Sequence, residues 1–143
     1  MNIPNSSLKE LPDLSKFIYL TVLRLDSNAQ IQNFEMISEI ESLQNLNLSS
    51  NELHGRMIDF SKLTNLTNLN LSNNLLWSED LEKLKALKNN TNLTIDLSNN
   101  SIDDATALLE LNPNTKIKLN GNVNLLPETK TKLKEHFKNN VTF

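Results

Sequence analysis

Apolar residues recur along this chain in two alternating rhythms. In the first, leucines stand two apart: Leu23 and Leu25, Leu46 and Leu48, Leu69 and Leu71. Period two belongs to an extended strand, whose successive side chains point to opposite faces. Each leucine pair therefore faces one side, while Val22 and Arg24, Asn45 and Asn47, and Asn68 and Asn70 face the other. In the second rhythm apolar residues return at every third position: Leu8, Leu11, Leu14, Phe17 and Leu20, then Phe34, Ile37, Ile40 and Leu43. That spacing suits a short or 3₁₀ helix with one buried edge. Residues 78–87 predict an α-helix, with Ser78 as its cap and Glu79 and Asp80 at its positive end. A shorter helix is predicted from Asp103 to Leu111, stopped by Asn112 and Pro113. Pro127 opens a last predicted helix, on which Leu133 and Phe137 share one face.

The two rhythms belong to one repeat. Residues 20–28, 43–51 and 66–74 align without gaps as L-x-x-L-x-L-x-x-N. A fourth copy ending at Asn100 has slipped, with Asn92 where a leucine belongs, and a fifth ending at Asn122 has lost its first leucine to Asn114. The asparagines at 28, 51, 74, 100 and 122 are separated by steps of 23, 23, 26 and 22. One 23-residue step back from Asn28 lands on Asn5, so the chain is expected to begin inside a repeat. A single repeat cannot bury its own leucines, but stacked repeats bury each other's. Each asparagine falls where the chain turns away from its strand. Its amide carries two donors and an acceptor, enough to satisfy backbone groups left outside the sheet. Asn28, Asn51, Asn74, Asn100 and Asn122 are therefore expected to form a buried structural ladder.

Five phased copies over nearly the whole chain resemble the leucine-rich-repeat family. The short period resembles the bacterial surface repeats of the internalin kind, and is similar also to those of intracellular phosphatase-regulator proteins. The resemblance implies an α/β solenoid with a curved parallel β-sheet on its concave face, short helices and loops on its convex face, and here a C-terminal capping helix. About five repeats, the first partial, would occupy residues 1–126, and the cap residues 127–143. The resemblance also makes the concave face the ligand face. Its two outward columns are Val22, Asn45, Asn68, Thr94, Lys116 and Arg24, Asn47, Asn70, Asp96, Lys118. Trp77 is a further candidate, readable as core or as an interface anchor, because tryptophan is enriched where binding energy concentrates.

Composition narrows the chemistry. With 143 residues the chain suits one domain, and with 5% aromatics its core must be aliphatic. A net charge of −3 provides no field for gathering phosphates, which argues against nucleic acid. The absence of cysteine excludes disulfides, thiolate metal sites and a Cys nucleophile. No stretch is long and apolar enough for membrane insertion. His54 and His136 stand far apart and are read as solvated, and Asp103 with Asp104 as helix N-terminal charge rather than a metal site. No nucleophile elbow, zinc motif or phosphate loop is present, so neither an enzyme nor a cofactor is expected. Several N-x-S/T triplets occur, at Asn5, Asn65, Asn89 and Asn140 among others, as an asparagine-rich chain produces by chance.

The expected function is a protein-interaction or scaffolding module of a bacterial cell-surface or secreted protein. A protein ligand is expected first and a glycan second. An intracellular interaction protein and a ligandless structural spacer are the alternatives. The first residues lack the pattern of a signal peptide. The expected location is accordingly extracellular or cell-surface if the chain is a piece of a longer one, and cytoplasmic if Met1 is its natural start. Leu8 and Leu11, at the start of the stack, are expected to be partly exposed and to favour self-association through the N-terminal edge.

Overall fold

The structure, a computed structural model, describes residues 1–143. One six-stranded parallel sheet runs in chain order. Its strands are β1 (Val22–Arg24), β2 (Asn45–Asn47), β3 (Asn68–Asn70), β4 (Thr94–Asp96), β5 (Lys116–Lys118) and β6 (Val141–Thr142). Val22, Asn45, Asn68, Thr94 and Lys116 stand side by side in it, as do Arg24, Asn47, Asn70, Asp96 and Lys118. The middle residue of each of the first five strands is buried, and the core is one continuous apolar cluster from Leu11 to Val141. No repeat owns a separate core, so each depends on its neighbours for burial.

The five asparagines are buried and bonded along the stack. The Asn28 N–H donates to Asn51 Oδ1 at 2.7 Å, the Asn51 N–H to Asn74 Oδ1 at 2.8 Å, and the Asn74 N–H to Asn100 Oδ1 at 2.9 Å. Each side-chain amide donates back to the preceding repeat. Asn51 reaches the Leu25 carbonyl, Asn74 that of Leu48, Asn100 that of Leu71 and Asn122 that of Leu97, at 2.9–3.1 Å. The last link differs: Asn122 Oδ1 accepts the Ile102 N–H at 3.2 Å.

At the other end Ser6, not Asn5, occupies the ladder position. Its N–H and hydroxyl both donate to Asn28 Oδ1, at 2.8 and 2.6 Å. Asn2 forms a bridge with Arg24, so this rung is set by a 22-residue step. Counting back by a constant 23 missed it because connector lengths vary while hydrogen-bond register does not.

Immediately before each ladder asparagine the backbone turns left-handed. Ser27, Ser50, Asn73, Asn99 and Gly121 have φ of 60, 59, 57, 56 and 78°. This geometry lets the ladder of strand hydrogen bonds continue beyond the strands, as in Ser50 N–H to the Ser72 carbonyl at 3.0 Å. Non-glycine residues are strained there, asparagine less than most. At 121 glycine avoids that strain, and a Cβ there would come within 2.1 Å of Asn99 Oδ1 unless that side chain shifted.

Connectors on the convex side are wound tightly. Phe34–Glu39 is a 3₁₀ helix. So, against the expectation of an α-helix, is the whole of Ser78–Leu87. Its buried Leu81, Leu84 and Leu87 are three apart, and a three-residue turn keeps them on one line where an α-turn would rotate them apart. Ser78 does not cap it. Asp80 does, accepting the Trp77 N–H at 2.8 Å, while the Ser78 hydroxyl donates to Asp103. The segment from Asp103 to Leu111 narrows to a 3₁₀ helix at Thr106–Glu110. Residues 8–20 keep the three-fold spacing but form turns without a helix.

The C-terminal helix α1 (Pro127–Phe137) has proline at its start and buries Thr129, Leu133 and Phe137. β6 follows it and pairs with β5, a strand the apolar pattern does not announce. At the N-terminus Leu11 is buried and Leu8 half-buried, contrary to the expectation for Leu11. The reason is the extra rung at residues 2–6, together with a hydrogen bond from the Leu11 N–H to Asn33 Oδ1 at 2.7 Å. The exposed apolar surface lies further on, at Phe17, Ile18 and Tyr19, which are 42%, 65% and 87% exposed.

Asn74→Ala removes the acceptor for the Asn51 N–H and the donor to the Leu48 carbonyl. It should cost about 3 kcal/mol in urea melts. Asn73→Ala is not the neutral control that its exposure suggests, because φ of 57° makes alanine strained there by roughly 1 kcal/mol. Asn73→Gly should be neutral within about 0.5 kcal/mol. Equal loss in Asn74→Ala and Asn73→Gly would contradict the ladder.

Candidate functional site

Two surfaces emerge from this frame. The first is the concave face, where the flanking residues of each strand point outward because its middle residue points into the core. Val22, Asn45 and Asn68 on one column, and Arg24, Asn47, Asn70 and Asp96 on the other, line a shallow groove of about 360 Å³ with Thr94 and Lys118. Lys116 lies outside it, in an adjoining depression with Thr91, Asn92 and Asn114. Trp77 is on neither and belongs to a different surface.

The groove's polar atoms are partly committed. Asn47 Oδ1 accepts the Ser49 N–H, Asn70 Oδ1 the Ser72 N–H and Asp96 Oδ1 the Ser98 N–H, each at 3.0 Å. These carboxamides and carboxylates close the turn after each strand, as Asn and Asp commonly do. Asn47 Nδ2 is spent too, donating to Asp26 Oδ1 at 3.0 Å. What faces outward is a polar floor with a cation at each end. Arg24 lies 3.5 Å from Asp26, and Lys118 lies 3.4 Å from Asp96. Both pairs are solvent-exposed and weak, so either cation can exchange its partner for one on a ligand at small cost.

The second surface surrounds Trp77, where the chain leaves the ladder. The indole is 51% exposed, and the His54 ring stacks on it at 4.5 Å between centroids and 24° between planes. Beneath them lies Asp80, a buried carboxylate. It accepts the Trp77 N–H at 2.8 Å and the Gly55 N–H at 2.9 Å, and meets His54 Nδ1 at 2.8 Å. His54 is therefore not a free solvated side chain. Nor is His136, whose Nε2 lies 3.0 Å from the Leu111 carbonyl. The cue in the sequence was Asp80 three residues after Trp77, the spacing of an N-terminal cap; assigning the cap to Ser78 hid it.

Asp103 and Asp104 are likewise taken up by protein donors. The Ser78 hydroxyl holds the Asp103 carboxyl below its usual range. Burial pushes Asp104 up, but the Thr106 N–H and the Thr106 and Thr129 hydroxyls outweigh it and leave it lowered.

The parallel sheet in chain order, the phased leucines and the asparagine ladder together define a leucine-rich-repeat solenoid. Among solved structures the fold is similar to that of internalin C2 from Listeria monocytogenes, with a TM-score of 0.51 and 21% identity, over 99% of this chain and 78% of that one. No protein-family model matches the chain, and no curated protein matches it.

Asp80→Ala should lower stability by about 1–2 kcal/mol, because two part-buried N–H groups lose their acceptor. Trp77 is the only tryptophan, so its emission in the folded variant should shift as the His54 stack loosens. Unchanged stability and emission would mean that the carboxylate does not organise this edge.

Proposed function

We propose that this chain is a protein-interaction module that receives a protein ligand in its concave groove, as part of a bacterial cell-surface or secreted protein. One observation carries the reading. A pre-formed groove, set by strands in fixed register, presents Arg24 and Lys118 at opposite ends of a polar floor, each beside a carboxylate, Asp26 and Asp96. A surface with two cations that can exchange their exposed partners favours an acid-bearing partner segment. The likeness to internalin C2 supports the solenoid on which this groove is built. The short repeats and the lack of cysteine support the surface or secreted setting. The commitment of His54, Asp80, Asp103 and Asp104 to structural hydrogen bonds supports binding over catalysis.

The test is capture followed by titration. Immobilised wild-type protein is exposed to a library of acid-bearing peptides and to a glycan array, and a retained peptide is then titrated. Arg24→Ala or Lys118→Ala should weaken binding by about tenfold or more, since interface energy concentrates in few residues. Asn70→Ala should weaken it only slightly. Dominance of the asparagine, or retention of glycans alone, would replace the protein ligand by a glycan. Equal binding by all variants would leave the groove without a role.

A specific observation also favours self-association. In the inner repeats the positions equivalent to Ile18 and Tyr19 are polar: Glu41 and Ser42, then Thr64 and Asn65. Here they are apolar and exposed beside Phe17. Light scattering should show concentration-dependent association, and Ile18→Ser with Tyr19→Ser should abolish it. A strictly monomeric wild type at millimolar concentration would rule the contact out.

A further inference from the structure

We infer that the Trp77 edge is a second docking surface, distinct from the concave groove, and that it takes a protein segment bearing a cationic side chain next to an apolar one. Three observations converge on it. The first is Leu75. It is 56% exposed and has φ of 56°, a conformation that disfavours a bulky side chain. Its backbone is strained and more than half of the residue is left in solvent, so its side chain is available to something outside the chain. The second is Trp77, two residues on. Its backbone is tied to the buried Asp80, and one face of its ring is covered by His54, which leaves an ordered, half-open indole. Aromatic side chains pre-set in this way serve as interface anchors at low ordering cost.

The third observation is charge, and it selects the occupant. Neighbouring rungs lie about 5 Å apart. The Ser101 N–H donates to the Leu76 carbonyl at 2.9 Å, which sets Ser101–Asp103 beside Leu76–Ser78. On the other side His54 and Gly55 contact Trp77 and Asp80. The exposed charged residues on these rungs around the indole are Glu52, Glu79 and Asp103, all acidic. The nearby cation, Arg56, is turned to the preceding repeat, where it donates to the Ala29 and Ile31 carbonyls and lies 5.4 Å over the Phe34 ring. A negative rim around an open indole attracts a guanidinium or ammonium group, which can stack on the ring. Leu75 supplies the apolar contact beside it.

The sole tryptophan makes the site its own reporter. The probe is a capped peptide, Gly-Leu-Arg-Leu-Arg-Gly, titrated while tryptophan emission is read. Controls are the same peptide with Glu for each Arg, and with Ser for each Leu. The wild type should show a saturable emission shift with the first peptide. Affinity should fall about tenfold or more with either control, and several-fold when salt is raised to about 0.5 M, where screening shortens the reach of the acidic rim. The Glu52→Lys/Glu79→Lys double variant and Leu75→Gly, which keeps the left-handed backbone, should each lose about tenfold. Glu10→Lys, a remote reversal of an exposed acid, should bind as the wild type does. Cooperative urea melts establish that every variant is folded. No response to the basic peptide, an equal response to the acidic one, or unaltered binding by the double variant would overturn the inference, as would a response to anionic vesicles or oligosaccharides alone. Because none of these measurements involves the groove, they stand or fall independently of its proposed role.

Discussion

The whole arrangement depends on one hydrogen bond repeated along the stack: a buried asparagine carbonyl accepting the backbone N–H of the asparagine one repeat earlier. Strands of three residues pair too briefly to hold a sheet on their own. Beyond each strand the chain must turn away with its polar backbone buried against the next repeat, and an unpaired buried N–H there is costly. The amide solves both halves of the problem. Its oxygen serves the repeat before it and its NH₂ returns to a carbonyl of that same repeat, as Asn74 does with the Asn51 N–H and the Leu48 carbonyl, so every rung is bonded twice to its neighbour. The left-handed residue just before it is the geometric condition that aims the side chain inward.

This frame decides where function can sit. The leucines that face the core and the asparagines of the ladder are engaged in packing and hydrogen bonds, which leaves the outward strand columns and the loops just past the ladder. On the concave side the frame fixes the spacing of Arg24 and Lys118 across the sheet. At the ladder's exit it places Leu75, Trp77 and His54 on adjoining rungs, and the buried Asp80 makes that corner rigid rather than loose. Both surfaces thus inherit their order from the same repeated bond.

Much of this was legible because side-chain period and hydrogen-bond chemistry are local. Leu23 and Leu25 two apart, and an asparagine three residues later, suffice to set strand, face and ladder. The failures came where long-range geometry overrides local preference. Ser78–Leu87 has helix-forming residues and a plausible cap, yet stacking against neighbouring repeats rewards the three-residue turn that lines up Leu81, Leu84 and Leu87. Ser6 replaces Asn5 because hydrogen-bond register, not repeat length, sets the rung. β6 has only two residues, Val141 and Thr142, too few for any pattern, and exists because β5 offers it an edge. The contact of His54 with Asp80 joins residues 26 apart in sequence, and only the stacking of repeats brings them together.

Native-state hydrogen exchange tests the central claim most directly. The backbone N–H groups of Asn28, Asn51 and Asn74 have side-chain oxygens of the next repeat as their acceptors. If those bonds organise the stack, the three amides should exchange only through global unfolding, with protection matching that of the buried strand residue Leu46 and the same denaturant dependence. Fast exchange of these amides, at free energies well below that of Leu46, would mean that the leucines alone hold the solenoid and the asparagines merely fill its turns.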